Sequence, residues 1–117
     1  MAVDINQRDG VIILKPSGKV IGNAVTELRQ AVEKELPSSY GAPKLLIDFA
    51  DVSMMDSSGL GTLMGIHVSI AKQGGRIAVI NVGTNIKNLI VRSRLISTFE
   101  HFDSENEAVS ALTAETK

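Results

Sequence analysis

Val3, Ile5 and Gln7 alternate with Asp4 and Asn6, and the apolar run Val11-Ile-Ile-Leu14 follows the pair Asp9-Gly10. Two such runs on either side of Asp-Gly predict a hairpin, with Pro16 and Gly18 closing its second strand. From Asn23 to Leu36 the period changes. Val25, Leu28, Val32 and Leu36 recur at helical spacing, while Glu27, Arg29, Gln30, Glu33 and Lys34 lie off that stripe. Asn23 is the expected N-cap. Residues 38–43 have loop chemistry. Lys44-Leu-Leu-Ile-Asp-Phe49 is nearly continuous in apolar residues, as in a central strand covered on both faces, and there the sheet is expected to turn parallel.

Residues 58–73 read as a helix because Leu60, Leu63, Met64, His67 and Ala71 fall on one stripe, with Gly74-Gly75 as its stop. Ile66, Val68 and Ile70 add apolar positions, which points either to two buried faces or to a partner contact. Arg76–Val82 reads as another buried strand. Asn85–Leu95 reads as a helix whose basic end, Arg92 and Arg94, suits the negative pole of its dipole. A short strand at Thr98–Phe102 and a helix from Ser104, where Ser104-Glu-Asn-Glu107 approximates a capping box, complete the order β-β-α-β-α-β-α-β-α. That order predicts an α/β fold with a mixed sheet, an N-terminal hairpin and right-handed crossovers.

The chain has 117 residues, enough for one core, so a single domain over 1–117 is expected. Its net charge of -1, from 12 basic and 13 acidic side chains, makes phosphate backbones and anionic lipid poor partners. Aromatic residues are only 3% of the chain, which removes the stacking platforms that single-stranded nucleic acid needs. The absence of cysteine excludes disulfides, thiolate nucleophiles and cysteine-bound zinc. The first residues do not read as a signal peptide, and no apolar run approaches the ~20 residues of a membrane span, so a cytoplasmic location is expected.

Met54-Met-Asp-Ser-Ser-Gly-Leu-Gly61 lies where an extended segment passes into a helix. Asp56, Ser57 and Ser58 can each cap that helix, and its glycines permit close packing. The same geometry suits a switch, because a hydroxyl at a helix N-terminus sits beside free N–H groups and the positive pole of the dipole. A phosphate there adds about -1.5 to -2 charges, changing the surface without unfolding the domain.

At Met55-Asp-Ser-Ser-Gly-Leu-Gly61 the sequence resembles the anti-sigma factor antagonists, whose fold is the STAS domain shared with cytoplasmic parts of sulfate transporters. The resemblance extends to the Gly18 turn, Leu45-Leu-Ile-Asp48, Lys72-Gln-Gly-Gly75 and Phe99. It implies a STAS-like mixed sheet with helices packed on it. It also implies a protein that binds an anti-sigma serine kinase and frees a sigma factor. Ser57 would be the phosphoacceptor, a phosphatase of the PP2C type would restore the active form, and Ser58 would be the likelier cap. Asp56, Ser57, Ser58, Gly59, Leu60 and Ile21 would meet the partner. Kinase-switched members often carry an acid where this chain has Ile21, within Gly18-Lys-Val-Ile-Gly22.

Enzyme readings find little support. Gly59-Leu-Gly-Thr-Leu-Met-Gly65 is one residue too long for a dinucleotide fingerprint, no Walker loop is present, and Met55-Asp-Ser-Ser-Gly lacks the first glycine of a hydrolase elbow. His67 on a helix stripe reads as packed or surface-lying, and His101 beside Glu100 and Asp103 has no metal-ligand spacing. Asp48, Asp51 and Asp56 read as strand-end and turn residues, not a cation site. No cofactor or metal is expected. The competing reading is a non-switching scaffold subunit of a transporter or stress-sensing complex, in which Ser57 only caps.

Overall fold

The computed structural model describes residues 2–22, 24–35, 41–94 and 98–114, with the side chains of residues 24, 25 and 35 set aside. The expectations for Asn23, Val25, Leu36, Leu95 and residues 38–40 lie outside what is described. A hairpin opens the chain: β1 (Ala2–Arg8) and β2 (Val11–Val20) are antiparallel, with Arg8 opposite Val11. Asp9 and Gly10 turn between them at φ 53° and 81°, the doubly positive geometry that matches strand twist.

β2 does not stop at Pro16 or Gly18. It runs on to Val20 by changing partners: Ile12, Ile13 and Leu14 pair in parallel with β3 (Lys44–Asp48), and Ser17–Val20 pair in parallel with β4 (Asp51–Met55). Lys15 and Pro16 fall between those two ladders, where a missing N–H costs least. Gly18 takes φ 86°, and just after it the register slips by one residue, Ser53 of β4 being the extra, bulged residue between Val52 and Met54.

β5 (Arg76–Ile80) pairs in parallel with β3, and β6 (Glu100–Phe102) with β5, giving a six-stranded sheet of order β1-β2-β3-β5-β6 with β4 beside β2. Every strand except β1 therefore points the same way, and their carboxyl ends share one edge. The helices α1 (Ala24–Glu35), α2 (Ser57–Lys72) and α3 (Thr84–Arg92) pack one face, and α4 (Glu105–Thr113) packs the other.

Period-two alternation in the central strands fills both cores. Ile12, Leu14, Leu45, Ile47, Ile77 and Val79 meet Leu28, Val32, Leu63, Ile70, Ile86 and Ile90 of the first three helices. Val11, Ile13, Leu46, Ala78 and Ile80 meet Ala108, Val109 and Leu112 of α4. That double coverage is why β3 and β5 read as unbroken apolar runs.

Two polar ties close the edges. Arg76 grips Glu100 through both its Nε, at 2.9 Å, and Nη2, and donates from Nη1 to the Ala111 carbonyl at 2.9 Å. The hydrogen bond to Glu100 holds the guanidinium above its usual pKa against a smaller opposing effect of burial. Ser104 caps α4 by accepting from the Glu107 amide at 3.2 Å. The capping box is displaced, since Glu107 reaches back to the Asp103 amide and not to that of Ser104.

Leu46, with no exposed surface between the sheet and α4, tests the second core. Leu46→Ala is expected to cost about 2–5 kcal/mol in urea unfolding. Ile5→Ala, on the exposed edge strand, should change stability by less than about 0.5 kcal/mol.

Candidate functional site at the start of α2

β4 delivers the chain to the mouth of α2. Asp51-Val-Ser-Met-Met55 is mostly exposed, with only Met55 buried, so it is an edge segment held by β2 and not a core strand. Met55 points inward. Met54, directly before it, is 49% exposed, an apolar surface beside the turn that the sequence reading missed. Strand alternation through Asp51–Met55 was the available signal.

Asp56 is the N-cap of α2. Its backbone is extended (φ -106°, ψ -174°), its Oδ1 accepts from the Gly59 amide at 3.0 Å, and its carbonyl accepts from the Leu60 amide at 3.1 Å. This corrects the expectation that Ser58 caps: both serines already stand inside the first helical turn, and the carboxylate one residue earlier has the reach. Ser57 and Ser58 are exposed. Neither hydroxyl has a hydrogen-bond partner among the described residues.

Gly59 explains how closely this turn approaches the sheet. A Cβ there would lie 2.5 Å from Met55 Cγ and 2.7 Å from the Val20 carbonyl oxygen. The Val20 carbonyl thus presses on the first turn of α2, and Ile21 is the next residue along the chain. Ile21 is half-buried, and Gly22 follows in the left-handed region at φ 54°. Leu60, expected among the partner contacts, is 5% exposed and belongs to the core. Gly59 is buried too. Their part is to set the position of Asp56, Ser57 and Ser58: Gly59 by letting the sheet approach closely, and Leu60 by taking its apolar side chain out of water.

The rest of α2 departs from the expected stripe. Leu60, Leu63, Ile66 and Ile70 are buried, Met64 and His67 are half-buried, and Ala71 and Val68 are exposed. Gly61 and Gly65 face open space, since a Cβ at either would touch nothing. His67 stands edge-on to Phe99, with ring centroids 5.7 Å apart, and its Nδ1 is buried without a hydrogen-bond partner among the described residues. Ten residues along the helix from Ser57, it is displaced by about 15 Å along the axis, too far to act as a base for that serine.

The aspartates serve local structure. Asp48, 8% exposed, accepts from the Ala50 amide at 2.9 Å and from Asn81 Nδ2 at 3.0 Å, closing the turn after β3 and binding it to the end of β5. Asp51 pairs with Lys15 at 3.7 Å on the surface. Among the described residues no group of three His, Asp or Glu side chains is placed to hold a metal ion, and no helix is long and apolar enough to cross a membrane.

The family model for the STAS domain matches residues 2–108. The chain belongs to the STAS domain family. Two relatives share much of its length. An anti-sigma F factor antagonist of Paenibacillus polymyxa is 24% identical over 96% of this chain and 95% of its own. An anti-sigma-B factor antagonist of Bacillus subtilis is 32% identical over 74% of this chain and 77% of its own. The fold is that of a solved Bacillus protein, the cell fate determinant SpoIIAA in its phosphorylated form, with a TM-score of 0.72 at 20% identity over 94% of this STAS chain and 98% of that one.

Two pairs of variants probe this turn by chemical unfolding. Gly59→Ala should lose about 1–3 kcal/mol by overpacking, whereas Gly61→Ala, with open space for its methyl, should gain about 0.5–1 kcal/mol of helix propensity. Asp56→Ala should cost about 1 kcal/mol through the lost cap, and Ser58→Ala should leave stability within about 0.5 kcal/mol.

Proposed function

We propose that this STAS domain is a cytoplasmic anti-sigma factor antagonist with no catalytic activity of its own. It docks on an anti-sigma serine kinase, releases a sigma factor, and is turned off when that kinase phosphorylates Ser57. The observation that carries the reading is the exposed hydroxyl of Ser57 in the first turn of α2, which has no partner among the described residues. A kinase can reach it without unfolding anything. The naming of two relatives as antagonists of anti-sigma factors supports the class of partner.

The cap explains how the modification would act. Asp56 already occupies the Gly59 amide, so a phosphate on Ser57 meets a carboxylate where it would otherwise find a free donor. Like charges repel, and the phosphate turns outward into the docking face, while the dipole of α2 still tolerates it. The partner face in this reading comprises Ser57 and Ser58 with Asp56 and Ile21 at its border. Ile21 gives that border an apolar contact where kinase-switched relatives often use an acid, so the kinase that fits should present an apolar side chain there. A phosphatase of the PP2C type would reverse the change.

A misplaced charge at an interface costs several kcal/mol, and each 1.4 kcal/mol is a factor of ten in affinity. Incubation with the anti-sigma kinase and ATP should add one phosphate, found on Ser57 by mass spectrometry. Calorimetric titration should show Ser57→Ala binding as tightly as the unmodified protein and Ser57→Asp binding about a hundredfold more weakly. Equal affinities for all three would defeat the switch. Absence of phosphate, with stable co-purification of some other assembly, would favour a scaffold role.

A further inference from the structure

β4 exposes an apolar side chain that neither core uses. Val52 packs against the core under α1, α2 and α3, and Met55 lies within it. Strict strand alternation from Val52 would put Met54 on the core side and turn Met55 outward. The bulge at Ser53 reverses that order. Ser53 and Met54 are left outside in succession, and Met54 is, with Val91, the most exposed of the large apolar side chains among the described residues.

A cation stands beside it. The register pairs Lys19 of β2 with Met54, and Val20 with Met55. Val20 and Met55 both enter the core of the first three helices, so Lys19 and Met54 share the reverse face of the β2–β4 ribbon. The core under α4 takes Val11 and Ile13 from β2, and nothing from Ser17–Val20 or from β4. Lys19 is exposed and belongs to no ion pair among the described residues, whereas Lys15, earlier on the same strand, is answered by Asp51.

We propose that Met54 and Lys19 anchor the anti-sigma kinase that docks at Ser57, an inference that rests on the function proposed above. The kinase presents an apolar pocket for the thioether and, on the rim of that pocket, a carboxylate for the Lys19 ammonium. A protein interface of standard size buries about 800 Å² on each partner, a disc of roughly 16 Å radius. Met54 stands three residues before Ser57, so the chain holds the two at most about 11 Å apart. A footprint centred on Ser57 therefore reaches Met54. Methionine suits the contact, because its unbranched thioether adapts to the pocket it meets. A second copy of this chain fits worse: a two-fold contact centred on this face would set Lys19 against its own equivalent.

The test is a calorimetric titration of the anti-sigma kinase with the whole unphosphorylated chain and five variants, their folding checked by circular dichroism. Met54→Thr, which keeps β propensity, should weaken binding about tenfold, and Met54→Leu should restore it to within about threefold. Lys19→Glu should weaken binding about tenfold at low salt and less at high salt, and Lys19→Arg should not. Val91→Thr is the control. Val91 is as exposed as Met54 but lies near the end of α3, which carries the chain back toward the start of β6, and its replacement should leave affinity unchanged. The anchor is overturned, with the switch intact, if the unaltered chain binds the kinase and either Met54→Thr or Lys19→Glu binds equally well, or if Val91→Thr loses as much. A concentration-dependent dimer that Met54→Thr abolishes in light scattering would assign the face to a second copy and also overturn it. An unaltered chain that neither binds the kinase nor gains phosphate on Ser57 would sink the functional reading and the anchor together.

Discussion

The start of α2 is pressed so hard against the end of β2 that only glycine fits between them. Gly59 has the Val20 carbonyl on one side and Met55 on the other, and this contact fixes the angle at which the helix leaves the sheet. Leu60 then falls into the core, Asp56 caps, and the two serines are left on the surface. The exposure of Ser57 is thus the outward side of a packing constraint on its neighbours. Because the constraint is steric, a charge added to the hydroxyl would not disturb it.

β2 makes that contact possible. A strand of ordinary length would end where its ladder with β3 ends, at Leu14. Continuing past Lys15 and Pro16, it takes a second partner, β4, from Ser17 onward, and so brings Val20 to the mouth of the helix. The molecule thus uses one strand twice, first to build the core and then to build the surface. Asp48 and Asn81 do comparable work further along the edge, where a buried carboxylate held by neutral donors pins the ends of β3 and β5 together.

Much of this was legible in the sequence, though unevenly. β3 and β5 were plain because burial on both faces writes an unbroken apolar run, and the hairpin was plain because Asp9-Gly10 suits its turn. β4 passed as an extended approach to the helix, since Asp51 and Ser53 dilute a strand that is mostly exposed. Pro16 and Gly18 suggested an end to β2, and only the pairing shows that they mark a change of partner. In α2, Ile66, Val68 and Ile70 lie on too many sides for periodicity to choose between them. Packing chose Ile66 and Ile70 and left Val68 and Ala71 outside. At the turn, three consecutive residues could all cap on chemistry alone. Reach and backbone conformation selected Asp56, a choice that composition does not encode.

The two outer strands of the sheet are unlike. β6 offers three residues to any neighbouring chain, too few to template much, and it is tied down by the grip of Arg76 on Glu100. β1 offers seven, lying open along the other margin. A ladder that long invites unwanted self-association, yet its side chains include Asp4, Asn6, Gln7 and Arg8, with Ile5 as its exposed large apolar residue. That margin is therefore kept from pairing by a handful of polar side chains, and replacing them with β-branched apolar residues would make it a template for fibres.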